Sequence, residues 1–174
     1  MSMKKIACIV LFLIHAHMSY AQQNKPVAQV DLKKFEGKWY SLSSIPTALD
    51  KSWRETVENY TWNEKGYFDV YTTYEKIKKG KSEHGSINSK LFQVEGTGNA
   101  EMKAQFVWPF KVDYWVVELA DDYSYMIVGH PKKKYLFIMS RQPTMDKVLY
   151  MQIIERCKNR GYRTDELVFQ FNFL

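Results

Sequence analysis

Cysteine is scarce in this chain: Cys8 and Cys157 are the two among 174 residues. Cys8 falls inside an N-terminal segment built like a removable leader. Lys4 and Lys5 precede an apolar stretch over residues 6–14, and Ser19-Tyr20-Ala21 supplies a small-x-small cleavage site. Residues 1–21 therefore read as a signal peptide and residues 22–174 as one domain. Its removal leaves Cys157 alone, which excludes an internal disulfide and assigns stability to the core. A long apolar run is also missing, since residues 6–14 are too short to span a bilayer. A lipoprotein leader would carry its cysteine just after the apolar run. Cys8 precedes most of it, so no lipid anchor is expected. The sequence predicts export to the periplasm or the outside of the cell.

Histidine is equally sparse. The predicted domain holds His84 and His130, in separate strands with no cysteine or carboxylate at ligand spacing, which argues against a metal centre or histidine catalysis. No glycine-rich phosphate loop, nucleophile elbow or paired acid/base arrangement stands out. The chain thus reads as a non-enzyme without a cofactor. Charge of one sign is modest: losing Lys4 and Lys5 takes the formal +6 to +4. The aromatics would mostly face a barrel interior, which together with export excludes a nucleic-acid partner.

What the chain does hold is aromatic residues, 16% of the total, on short alternating segments. Strands are predicted over residues 38–44, 57–63, 67–76, 82–94, 102–108, 113–119, 125–130 and 135–140. Turns fall at Glu64-Lys65-Gly66, Gly96-Thr97-Gly98-Asn99 and Asp121-Asp122, and Pro109 ends its strand. Asp31 can cap a short lead-in. After Pro143 the period lengthens to that of a helix, with Thr144 as its cap and Met145, Leu149, Ile153, Ile154 and Cys157 as its apolar stripe; Gly161 stops it. Residues 167–171 form a last short strand. Gly37-Lys38-Trp39-Tyr40 opens the domain, and Arg141 closes the last long hydrophobic run. In a closed β barrel these ends meet, and the guanidinium can stack on the Trp39 indole as a barrel-closing support. A barrel of roughly eight strands encloses room for one small ligand.

Gly37-x-Trp39-Tyr40, Tyr114-Trp115-Val116 with Ala120-Asp121-Asp122-Tyr123, and Leu136-Phe137-Ile138-Met139-Ser140-Arg141 resemble the three sequence blocks of the lipocalins. Residues 113–145 are similar in particular to the bacterial, plant temperature-induced and apolipoprotein D branches. Asp121-Asp122-Tyr123 departs from the usual Thr-Asp-Tyr of the middle block. The resemblance implies an all-β fold: an eight-stranded antiparallel up-and-down barrel with one open end, a helix packed outside and a short final strand. The ligands it implies are fatty acids, lysophospholipids or similar lipids.

With Trp39 inward, alternation aided by the family pattern selects the inward side chains of each wall. They are Tyr60; Phe68, Val70, Thr72 and Tyr74; Met102, Ala104 and Phe106; Tyr114 and Val116; Met126 and Val128; and Tyr135, Phe137 and Met139. The connections after the odd-numbered strands share the open rim and carry Lys78, Lys79, Lys132 and Lys133 among other lysines, while Glu64, Asp121 and Asp122 lie at the closed end. Such a rim attracts anions. The expected partner is a small hydrophobic ligand, an anionic lipid, with peripheral contact with a membrane surface. The expected role is lipid transport, storage or envelope maintenance. A lipocalin-fold enzyme acting on a lipophile and a haem or tetrapyrrole carrier are the competing readings.

Overall fold

A computed structural model of the protein describes residues 23–78 and 80–171; the predicted signal peptide, Cys8 and the rim lysine Lys79 lie outside these residues. Its elements are α1 (Leu32–Phe35), β1 (Gly37–Ile45), β2 (Trp53–Asn63), β3 (Tyr67–Lys78), β4 (Lys81–Gln93), β5 (Glu101–Val107), β6 (Phe110–Leu119), β7 (Tyr125–Gly129), β8 (Leu136–Ser140), α2 (Lys147–Asn159) and β9 (Val168–Phe169), with a 3₁₀ turn at Thr164–Glu166.

Each strand from β1 to β8 pairs antiparallel with the next, and β8 returns to β1. The barrel is closed, eight-stranded and up-and-down, as the resemblance implies. β9 adds to it from outside. It pairs with β1 at Ser43 and Ser44, where β2 has already diverged, and the Gln170 amide donates to Leu42 O at 2.9 Å. Glu55 N–H in turn donates to Gln170 O at 2.9 Å, so the last segment fills the gap between β1 and β2.

β3 runs on to Lys78, β6 begins at Phe110 rather than at 113, and β9 is limited to Val168–Phe169; two further differences from the sequence reading have a clear local cause. β2 begins at Trp53 rather than at 57, because Glu55 takes a positive φ of 51° and the register shifts between Arg54 and Val57. That bulge breaks the alternation by which a strand is recognised. The cap of α2 is Asp146 rather than Thr144: its carboxylate accepts the Leu149 amide at 2.9 Å. The predicted stripe does face the barrel, with Ile153 and Cys157 buried and Met145, Leu149 and Ile154 packed beside them. Tyr150 joins them, its hydroxyl donating to Ser43 Oγ at 2.7 Å. Burial pushes the Cys157 thiol up to about 12, so this cysteine is a packed hydrophobe and not a nucleophile.

A bulge between Val116 and Glu118 turns Val117 and Glu118 together toward α2. Val117 packs there, while the Glu118 carboxylate takes Arg156 (2.7 and 2.9 Å) and Arg160 (3.1 Å). One acidic residue thereby fastens two turns of the helix to the barrel wall.

Candidate functional site

The closed end of the barrel is solid. Phe68, Met102, Val116, Met126 and Val128 all point inward as alternation requires, but they pack with Val30, Phe35 and Trp39 beneath the cavity and do not line it. α1 supplies the plug. Asp31 caps it through the amides of Lys33 and Lys34, and its last residue, Phe35, lies against Trp39, Tyr60 and Phe68 with ring centroids 6.0, 5.1 and 5.6 Å away.

Arg141 locks this end. Its guanidinium carbon sits 3.8 Å from the centroid of the Trp39 ring. Nη1 donates to Lys38 O at 2.9 Å, and Nη2 donates to Phe35 O at 3.2 Å and to Lys34 O. Trp39 Nε1 donates to Phe35 O at 2.9 Å. Gly37 belongs to the same device: at φ 94° it turns the chain from α1 into β1, with Arg141 Nη1 3.5 Å from where a Cβ would stand.

Above the floor lies a cavity of about 590 Å³, within the range of small-molecule sites. Tyr60, Val70, Thr72, Ala104, Phe106, Tyr114, Tyr135, Phe137 and Met139 of the predicted inward set line it. Tyr74 does not: it stands at the rim, stacked on the lining residue Trp53 with centroids 3.8 Å apart and planes 3° from parallel. Gly85 leaves room for that ring, since a Cβ there would fall 2.5 Å from it.

Polar groups gather at the two ends. At the bottom, Tyr60 of β2 and Tyr114 of β6 reach across the lumen until their hydroxyls are 2.8 Å apart. These strands are four places apart in an eight-stranded ring, so the pair spans a full diameter. The Tyr60 hydroxyl also donates to Glu58 Oε2. Glu58 lines the cavity, and burial pushes its carboxyl up to about 7; the Tyr60 bond pulls down and the Asp50 carboxyl adds to the rise. Both phenols are held well above the ordinary tyrosine value, first by burial.

The mouth carries Asp50, whose carboxylate accepts Thr47 N–H at 2.6 Å and is raised by burial. On the far side, Asp113 pairs with Lys103 and lies 3.7 Å from His130 Nε2. His130 Nδ1 accepts the Lys132 amide at 2.9 Å, which leaves the proton on Nε2, facing Asp113. Burial lowers the His130 pKa and Asp113 opposes the shift. His84 likewise meets a carboxylate, Glu75, at 2.9 Å. The sequence places no carboxylate at ligand spacing from either histidine; among the described residues, the single acidic neighbour of each comes from across the ladder, on a neighbouring strand.

Of the rim lysines, Lys78 ends β3 opposite Lys81, Lys132 is exposed, and Lys133 lies with its ammonium against Gly161. Lys134 and Lys111 line the cavity, the latter with its ammonium 3.6 Å from the centroid of Phe92. Beside them the β5–β6 hairpin raises a bare apolar tip, with Trp108 82% and Phe110 75% exposed.

Sequence reasoning missed Glu58, Asp50, Trp53 and His130 as lining residues. For Glu58 the signal was present, because two residues before an inward tyrosine is an inward position. Asp50 belongs to a connection, where no periodicity operates.

A family model described as a lipocalin-like domain matches residues 30–171. The outer membrane lipoprotein Blc of Vibrio cholerae is 28% identical over 165 residues, covering 94% of each chain. Temperature-induced lipocalin-1 of Arabidopsis thaliana is 26% identical over 159 residues, 86% of this chain and 83% of that one. Insecticyanin from the tobacco hornworm Manduca sexta superposes with a TM-score of 0.61 at 18% identity, covering 84% of this chain and 82% of that one. Apocrustacyanin C2 does so with 0.65 at 14%, covering 81% and 79%.

Proposed function

The chain belongs to the lipocalin-like family, and from that premise we propose that it is an exported carrier of a small hydrophobic ligand, a fatty acid or lysophospholipid, held within the barrel. The cavity of about 590 Å³, closed below and open above, carries this reading. Its walls of Val70, Leu91, Ala104, Phe137 and Met139 suit an acyl chain, whose burial contributes about 0.8 kcal/mol per methylene. The lysines predicted at the mouth (Lys78, Lys79, Lys132, Lys133), joined by Lys134, would draw an anionic head group to the rim. The exposed Trp108 and Phe110 beside them suit peripheral contact with a lipid surface, where ligand can be collected or delivered. Binding without turnover fits the site best, since Cys157 is buried outside the barrel and His130 is tied to Asp113 and the Lys132 amide.

Export rests on the leader-like residues 1–21. Asn24 and Val27 are hydrogen-bonded to the barrel, at His130 O and Val116 O, so a mature chain beginning at Gln22 retains these anchors. The Blc relatives are named lipoproteins; in this chain Cys8 precedes most of the apolar stretch, and a free N-terminus is expected.

The direct test is titration with a fluorescent fatty acid. Phe137→Glu places a charge on the cavity wall and should abolish binding in a protein that remains folded. Equal affinity in the two proteins would refute the container reading. Native mass spectrometry of protein from its own host, with lipid extraction, would then identify the cargo, and N-terminal analysis would locate the mature start.

A further inference from the structure

The floor of the cavity is not a neutral surface. Its hydrogen bonds run in one direction. The single proton of Tyr60 goes to Glu58 Oε2, so the 2.8 Å contact between the two phenols must use the proton of Tyr114. Both phenol protons are then spent, and the hydroxyl that remains at this level, Thr72 opposite Glu58 in the ladder, can itself donate or accept. What the Glu58, Tyr60 and Tyr114 chain leaves toward the lumen is acceptor capacity: the second carboxylate oxygen of Glu58 and the lone pairs of Tyr114. Among the described residues no further donor is bonded to either. Arg141, beneath the floor, is committed to main-chain carbonyls. The lining lysines, Lys111 and Lys134, belong to the opposite end of the cavity.

A group entering this space displaces water from those acceptors. An acceptor left buried without a donor costs about 1–3 kcal/mol, which is roughly 5- to 150-fold in affinity. A leading hydroxyl meets the demand, and an ammonium meets it while also compensating the Glu58 charge. A leading carboxylate, ester or ether does not.

Resting on the container reading above, we propose that Glu58, Tyr60 and Tyr114 form a head-group subsite for a hydrogen-bond donor, so that long-chain alcohols, amines and amino alcohols bind polar end first. Fatty acids take the reverse orientation, with the carboxylate at the lysine rim. The barrel thereby has two polar ends of different character, an acceptor-rich floor and a mouth where Lys111 and Lys134 stand among the carboxylates of Asp50 and Asp113. A lipid bearing a donor at one end and an acid at the other would satisfy both.

The test uses four twelve-carbon ligands below their aggregation limits: dodecylamine, 1-dodecanol, 1-methoxydodecane and dodecanoate. Affinities are measured by displacement of a fluorescent fatty acid at pH 8, where Glu58 is mostly ionised. Wild type should bind the amine at least about tenfold more tightly than the methyl ether, with the alcohol between them. Glu58→Gln should remove most of the amine's advantage without weakening the ether. Tyr114→Phe, which keeps the ring that builds the floor, should narrow the gap between alcohol and ether. Equal affinities for amine, alcohol and ether in wild type would overturn the subsite while leaving the container intact. So would an unchanged ranking in folded Glu58→Gln. Failure of wild type to bind any of the four would overturn the container reading, and the subsite with it.

Discussion

Replacing Arg141 by methionine should destabilise the barrel without touching the cavity. The substitution keeps an apolar stem of similar reach and removes the guanidinium. Four interactions disappear with it: the stacking on Trp39 at 3.8 Å and the donations to the carbonyls of Lys38, Lys34 and Phe35. A cation over an indole is worth about 1 kcal/mol when partly desolvated, and charge-assisted hydrogen bonds contribute about 1.5–3 kcal/mol each where water is excluded. Arg141 is only half-buried, water can reach some of these carbonyls and Nη2 is shared between two of them, so the hydrogen bonds are discounted to about a third. The expected loss is about 2–4 kcal/mol. In urea this should lower the midpoint by roughly 1–2 M with an unchanged slope. In a thermal scan it should lower Tm by about 5–12 °C for a domain of this size. Arg141→Lys should fall between, since an ammonium keeps the charge but cannot hold a planar stack and several carbonyls at once. Fatty-acid affinity at a temperature where both proteins are folded should be unchanged. A loss under 0.5 kcal/mol, or a weakened affinity with stability intact, would refute the closing role assigned to this residue.

Charge reversal at the rim, Lys132→Glu with Lys134→Glu, should weaken a fatty acid more than its methyl ester, and the difference should shrink with added salt because exposed charges are screened over roughly 10 Å at 0.1 M. Equal loss for acid and ester would assign the effect to shape. Replacing Trp108 and Phe110 by serine should reduce co-sedimentation with vesicles containing anionic lipid while leaving ligand affinity in solution intact; unchanged sedimentation would remove the hairpin tip from the membrane contact. Glu58 should give the barrel a pH dependence. Its pKa is raised from the ordinary 4.5 to about 7, so the stability it contributes is complete below pH 4.5 and is lost as pH rises through 7. The groups facing it are Asp50, Tyr60 and Tyr114. The stability of wild type relative to Glu58→Gln should therefore fall between about pH 4.5 and 7.5 in parallel urea titrations, and a constant difference would place the carboxyl in water.

The face of each strand was legible from alternation, and its height in the barrel was not. Tyr60 and Phe68 share an inward orientation, yet one forms the floor and the other is packed beneath it, because the position of the plug Phe35 decides where the lumen ends. The bulges at Glu55 and Val117 were also invisible: each adds a residue that breaks the period of two, and each is stabilised by partners far along the chain, Gln170 and α2. Trp39 and Arg141 were legible as a pair because both are uncommon residues that recur at fixed places in a recognised pattern. Glu58 shows the opposite case. Its position was derivable, but a charged residue is ordinarily assigned to the solvent face.

The stitch made by β9 has a consequence for how the protein reaches its shape. Gln170 joins β1 to β2, and its side chain bonds Ser44 across a sequence separation of 126 residues. Most of the barrel pairs sequence neighbours, and the closures of β1 by β8 and β9 are the distant pairings, which form last because their loop-closure cost is largest. Until residue 170 arrives, the strands that flank the seam near the mouth keep unpaired backbone groups, which are templates for another chain. Whatever attends the folding chain has to shield that open seam until residues 168–170 are in place to close it.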